Sequence, residues 1–288
     1  MSLLRSSMGA NIAAGKKGGY ILRHCIAVFW LSLLVAPTAQ AAQCAGDFRS
    51  FINALSGEAV RAGVLAPLVA RAFAGVSPNQ AALAFDRRQQ GVFSKSFEYY
   101  ASIAVTPRRT ERGRKLLRKN AALLSRIERD FGVPAPLIVA IWGLETNYGT
   151  SDLGTLQVIR TLATLAYDCR RTELFQSELL AALQILQRGD LSLRDMIGGY
   201  AGEIGQTQFL PNSYLKYGID YDKDGHVNLR HSVPDVLAST ANFLKANGWQ
   251  PDMPFSEGTP NFEVLRTWNQ ALLYRKAIVL LAERISER

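Results

Sequence analysis

The chain has 288 residues, with 33 Lys+Arg against 24 Asp+Glu, a formal charge of +9 and 48% apolar residues. That is the composition of a globular protein, which excludes a disordered chain, a collagen-like repeat and a multi-span membrane protein, and leaves ample chain to bury a core. The charge is uneven: residues 1–41 contain Arg5, Lys16, Lys17 and Arg23 and no acid, so 29 basic residues face 24 acidic ones beyond them, a balance of +5. An excess of that size suits solubility or an acidic polymer and argues against nucleic acid as partner.

Residues 1–41 read as an export signal. Lys16, Lys17 and Arg23 precede the apolar run Cys25–Ala36, Pro37 ends it, and Ala39-Gln40-Ala41 supplies a small-x-small cleavage pattern. The run is too short for a bilayer, which needs about 20 apolar residues, so no stable membrane anchor is expected and residues 42–288 form the mature chain. Gln43 before Cys44 is not the small residue that a lipoprotein signal requires. Export removes Cys25 and leaves Cys44 and Cys169. In an oxidising compartment an isolated pair reads as one disulfide, the alternative being two buried thiols. With two cysteines and two histidines and no paired spacing, zinc is not expected.

The mature chain reads as all-α. Apolar residues recur at three- and four-residue spacing over 48–75 and again over 111–131. Arg108, Arg109, Arg112, Arg114, Lys115, Arg118 and Lys119 crowd one stretch that runs into the second of these. They suit either the solvated face of a helix or a docking surface for an anionic polymer. Thr172–Gln187 is helical and closes at Gly189, as helix ends favour. Ser232-Val-Pro-Asp235 starts another helix, with a capping Ser and Pro in the first turn, and that helix stops at Gly248. Thr259-Pro260 opens a final helical stretch. No alternating run is long enough for a sheet.

Three segments carry chemistry. In Pro134–Gly149 the prolines start a helix that is apolar all round, as buried helices are, and Glu145 is its only ionisable group. Desolvation, Ile141 and Trp142 one turn back, and the negative end of the helix dipole all raise the proton affinity of such a carboxyl. A carboxylic acid kept protonated near neutral pH is what general-acid cleavage of a glycosidic bond needs. The plain alternative is a structural Glu satisfied by an Arg or an amide. Gly198–Ser213 combines glycines with Gln206, Gln208, Asn212 and Ser213, neutral groups that suit a sugar better than a phosphate. In Asp220–His231, Asp220, Asp222 and Asp224 with Gly225 match the first half of a calcium loop. His226 would add its carbonyl, and Asp235 would close the site in place of the usual Glu. The alternative is an Asx-rich turn.

Taken together, Ile141–Gly149, Leu162–Arg171, Gly198–Ser213 and Val233–Trp249 resemble the MltB-type lytic murein transglycosylases (glycoside hydrolase family 103), in the non-lipidated branch with a signal peptide. The resemblance implies a lysozyme-like helical core with an additional helical lobe and a calcium-loop-like insertion. It implies a periplasmic monomer that acts on peptidoglycan glycan strands and needs no cofactor for catalysis, with a structural Ca2+ ion as the one candidate. The implied reaction is non-hydrolytic cleavage of the β-1,4 bond between N-acetylmuramic acid and N-acetylglucosamine, in the periplasm, with Glu145 as the single catalytic acid. The substrate groove maps onto Tyr100, Gln208, Phe209, Asn242, Phe243, Trp268, Asn269 and Tyr274. Three positions depart from the family pattern. Gly199 replaces a groove Ser, Phe243 a groove Tyr, and Glu203 stands where relatives carry a small apolar residue. Glu203 is read as a solvated loop residue, the other reading being a second titrating group near Glu145. A muramidase that adds water, and a non-catalytic wall-binding scaffold, are the competing functions.

Overall fold

Helical periodicity becomes thirteen helices among the described residues of the computed structural model, which are 42–88, 96–151 and 153–287. The expected export signal over residues 1–41 lies outside them. In chain order the helices are α1 (Phe48–Arg61), α2 (Ala66–Phe73), α3 (Gln80–Arg88), α4 (Phe97–Ala104), α5 (Pro107–Lys119), α6 (Ala121–Phe131) and α7 (Ala135–Thr146). They continue as α8 (Val158–Tyr167), α9 (Thr172–Arg188), α10 (Pro211–Tyr217), α11 (Val233–Ala246), α12 (Pro260–Trp268) and α13 (Leu272–Ser286). Two two-residue strands, β1 (Leu156–Gln157) and β2 (Ile197–Gly198), pair antiparallel. The all-α class holds.

Periodicity over-reached at three joints. The stretch 48–75 divides into α1 and α2, because Gly63 takes φ +90° and Pro67 then starts a new helix. The stretch 111–131 divides at Asn120, whose side chain donates to the Leu116 carbonyl and ends α5. The C-terminal stretch divides at Asn269, which ends α12 in extended backbone. In each case the apolar spacing runs on across the break, so the turn residue decides. Elsewhere the caps follow the expected chemistry. Gly189 ends α9 at φ +86°, and the Ser232 hydroxyl accepts from the Asp235 N–H at the start of α11.

The core forms around α7, which packs against α5, α6, α11 and α13. Pro134 and Pro136 begin this helix without unsatisfied donors. Leu137 to Ile141 are completely buried. Tyr148, just past the helix end, folds back over Gly143, where a Cβ would come 2.7 Å from its ring, and donates to the Arg109 carbonyl at 2.8 Å. The end of α7 is thereby fixed against α5.

At the start of the described chain Cys44 is disulfide-bonded to Cys169, with Cα atoms 5.1 Å apart. The bond closes a separation of 125 residues, worth about 5 kcal/mol in the chain-entropy account. The Ala45 N–H reaches the Tyr167 carbonyl, and Gln176 donates to the Ala42 carbonyl, so this end lies along α8 and α9.

Candidate active site

Glu145 sits in the last turn of α7, on the wall of a cavity of about 500 Å³. Two side chains from the C-terminal helices hold its carboxyl: the Tyr274 hydroxyl donates at 2.6 Å and the Trp268 indole N–H at 2.9 Å. Both reach Oε1, leaving Oε2 without a hydrogen bond among the described residues. Burial pushes the carboxyl up to about 7, against the pull of these two donors and with a smaller upward contribution from the charge of Glu203. Tyr274 in turn is raised well above the usual phenol range, by burial and then by the neighbouring carboxyl.

The end of α7 is also clamped from the glycine-rich segment. Gln206 accepts from the Trp142 indole at 2.8 Å, its carbonyl accepts from the Thr146 hydroxyl at 2.6 Å, and its amide donates to the Arg230 carbonyl at 2.9 Å. Three successive left-handed residues, Asn147, Tyr148 and Gly149, let the chain turn tightly around this amide. Gln206 stood out in the sequence only as a neutral polar group; its grip on the helix that carries Glu145 is a contact across 64 positions.

Three aromatic residues meet beside the cavity. Phe209 lies edge-on to Trp268 at 5.4 Å and to Phe243 at 5.9 Å, and Phe243 lies edge-on to Trp268 at 5.0 Å. Gln208, with φ +54°, and Asn269 line the cavity beside them. Tyr100 is half-buried on α4, and burial and the charge of Glu145 raise its hydroxyl. Asn242 is placed differently: its amide donates to the Tyr217 carbonyl at 2.9 Å, and it does not line the cavity. Glu203 is not a solvated loop residue. It is half-buried and lines the same cavity as Glu145, in a turn that folds back on itself after β2, with the Gly199 N–H donating to the Glu203 carbonyl. The rim holds a pair that periodicity could not reveal. Phe85 of α3 and Tyr200, both exposed, stack at 4.1 Å with their rings 13° apart, and both line the cavity. Such a surface suits the apolar face of a sugar ring.

Away from the cavity, the carboxylates of Asp220, Asp222 and Asp235 converge, with one oxygen of each within 4.8 Å of the others. This set of hard oxygens can take a divalent cation. The Asp224 carboxylate stands outside this trio and accepts the His226 N–H at 2.9 Å. Asp235 is fully buried and accepts N–H groups from Tyr221, Asp222 and Asn228.

The chain is similar to known proteins. A family model described as the transglycosylase SLT domain matches residues 47–259. Membrane-bound lytic murein transglycosylase B of Escherichia coli (strain K12) is 35% identical over 151 residues, which cover 52% of this chain and 41% of that protein's length. SltB3 from Pseudomonas aeruginosa, solved in complex with NAG-NAM-pentapeptide, superposes with a TM-score of 0.79 at 32% identity, over 85% of this chain and 81% of that one. The Escherichia coli lytic transglycosylase Slt35, solved in complex with calcium, has the same fold, with a TM-score of 0.74 at 23% identity over 88% of this chain and 98% of that one. On the family match and the lysozyme-like helical fold together, the chain belongs to the transglycosylase SLT family.

Proposed function

We propose that the protein is an exported peptidoglycan lytic transglycosylase. It cleaves the β-1,4 bond between N-acetylmuramic acid and N-acetylglucosamine without water and leaves a 1,6-anhydromuramoyl end. The observation that carries this reading is Glu145, a carboxyl raised to about 7 on the wall of an aromatic-lined cavity, with one oxygen held by two donors and the other without a hydrogen bond among the described residues. The proton on Oε2 passes to the glycosidic oxygen as the C1–O4 bond breaks, with the muramoyl acetamido oxygen assisting at C1. The carboxylate left behind then takes the proton of the C6 hydroxyl as that oxygen closes onto C1. One carboxyl serves as acid and then as base, so the closely spaced pair of ordinary glycosidases is not required. The NAG-NAM-pentapeptide held by the Pseudomonas relative supports the same substrate class.

Phe209, Phe243 and Trp268 would pack on sugar rings while Gln208 and Asn269 hold polar groups; Tyr100 and Tyr274 border the proton. The arginines of α5 carry a charge that suits an anionic wall. Asp220, Asp222 and Asp235 are suited to a structural calcium ion that supplies charge balance to the loop and takes no part in the chemistry. Export rests on the sequence pattern of residues 1–41, and N-terminal sequencing of the secreted chain at Ala42 would test it. Among the described residues no helix is long and apolar enough to cross a membrane.

Digestion of purified peptidoglycan by wild type and Glu145→Gln, followed by mass analysis, tests the reaction. Anhydro ends, one water lighter than hydrolysis products and absent with the variant, are expected. Reducing ends would mean a muramidase, and an inert wild type a wall-binding scaffold.

A further inference from the structure

Gly199 and Glu203 occupy one space. Gly199 does not adopt a left-handed φ, so the backbone makes no demand for glycine there. A Cβ at this position would instead lie 2.5 Å from Glu203 Oε2 and 3.1 Å from Gln208 Oε1. The side chain that Gly199 lacks is therefore replaced by the carboxylate of Glu203. That carboxylate is seated: Oε2 accepts the Ala201 N–H at 2.9 Å, and the Gly199 N–H returns to the Glu203 carbonyl at 2.9 Å. The turn is closed further on by the backbone pairing of Ile204 with Phe209. Glu203 Oε1 takes no hydrogen bond among the described residues, and the residue lines the cavity that contains Glu145.

We propose that Glu203 is a positioning residue for the reaction: seated in the space that Gly199 leaves, its carboxylate faces the cleft and biases the proton onto Glu145. The inference rests on the reading of Glu145 as general acid. Two like charges sharing a poorly solvated cleft resist ionising together, so the second carboxylate keeps the first protonated. Its effect on Glu145 is in that direction. The other groups facing Glu145 are Trp268 from α12, Tyr274 from α13 and Tyr100 from α4; the first two donate to it, which favours the ionised form. Arg171, at the start of α9, lines the same cavity, but it is ion-paired with Asp86 of α3, which also lines it. Arg109 acts on Tyr100 and Tyr274. Glu203 is thus the acid that opposes the two donors. A cleft carrying it keeps its general acid loaded at a higher pH than one with an apolar residue there.

The test is the pH dependence of kcat/KM on soluble peptidoglycan fragments for wild type, Glu203→Gln, Gly199→Ala and the double variant. Glu203→Gln preserves shape and removes charge. Its alkaline limb is expected to move down by about half a unit to one unit, the size of a charge–charge interaction of roughly 1 kcal/mol. That is a loss of about three- to tenfold at pH 8, with little change at pH 5. Gly199→Ala pushes the flexible end of Glu203 from its seat and is expected to move the same limb in the same direction, with no further shift in the double variant. An unmoved limb in Glu203→Gln, with the rate unchanged or lowered equally at every pH, overturns the proposal. So does an additive shift in the double variant, which would mean that the two positions act separately. If Glu145→Gln remains active, the reading of the general acid fails instead, a result distinct from any shift at position 203.

Discussion

Two buried carboxyls in this molecule do opposite things, and the contrast lies in their company. Glu145 is alone on an apolar helix, receives two side-chain donors on a single oxygen and keeps the other free toward a cavity. Its low-dielectric surroundings favour the neutral acid and raise its affinity for a proton. Asp235 is more deeply buried, yet both its oxygens accept backbone N–H groups, and Asp220 and Asp222 stand beside it. Burial raises the Asp235 carboxyl too, and the charge of Asp222 adds to this, while the backbone donors pull it back; three carboxylates brought together in this way suit a divalent cation. Burial raises both carboxyls; Glu145 opens on a cavity, whereas Asp235 is closed in by backbone donors and two further carboxylates.

The sharpest way to break this contrast is to remove the isolated carboxyl. Glu145→Gln is expected to lower kcat/KM on peptidoglycan by about 10²–10⁴-fold, the usual worth of general acid–base catalysis, with the fold intact by circular dichroism. The matching change in the crowded site, Asp235→Ala, should leave chemistry nearly untouched and cost stability instead. Three backbone N–H groups lose their acceptor inside the protein, and the loss is expected to be about 3 kcal/mol in urea denaturation. Calcium should raise the melting temperature of wild type and fail to raise that of this variant. A calcium response preserved in Asp235→Ala would separate the loop from the ion.

Much of this contrast was legible in the residues. A helix of Pro, Leu, Ile, Val, Ala and Trp with one acid announces a buried carboxyl, and Asp at alternate positions before Gly announces a loop built for oxygen ligation. The caps at Gly189 and Ser232 were equally local, because the partner lies a few residues away. What could not be read were juxtapositions across the chain. Gln206 grips Trp142 over 64 positions, and Phe85 meets Tyr200 only because α3 folds over the cleft. Asn242, matched to a groove position, points its amide to Tyr217. Glu203 was ambiguous for the same reason: its place on the cavity of Glu145 is set by how the turn after β2 folds, which no spacing encodes. The joints at Gly63, Asn120 and Asn269 were missed because an apolar face continues through them while the backbone does not.

A smaller effect sharpens the claim that isolation strains Glu145. Its folded-state proton affinity lies above that of the unfolded chain, so its stabilising contribution is complete below about pH 4.5 and is lost as pH rises through about 7. Glu145→Gln carries no charge to bury. It should therefore be more stable than wild type at pH 8 by roughly 2 kcal/mol and nearly equal to it at pH 4.5, since one unit is worth about 1.4 kcal/mol and partial access to the cavity reduces the full shift. Thermal melts at the two pH values would show it, and an equal difference at both would place the gain elsewhere.

The smallest expected effect concerns the donors. The Tyr274 hydroxyl favours the ionised form of Glu145, so Tyr274→Phe should move the alkaline limb of kcat/KM upward by about half a unit. Glu203→Gln should move it downward, because the two groups act on the same carboxyl with opposite signs. The rate of Tyr274→Phe below the limb should also fall a few-fold, since Oε1 would be left with Trp268 as its only side-chain anchor. A limb that moved downward in Tyr274→Phe would mean that the hydroxyl stabilises the protonated acid, and the two donors would then share the role assigned to Glu203.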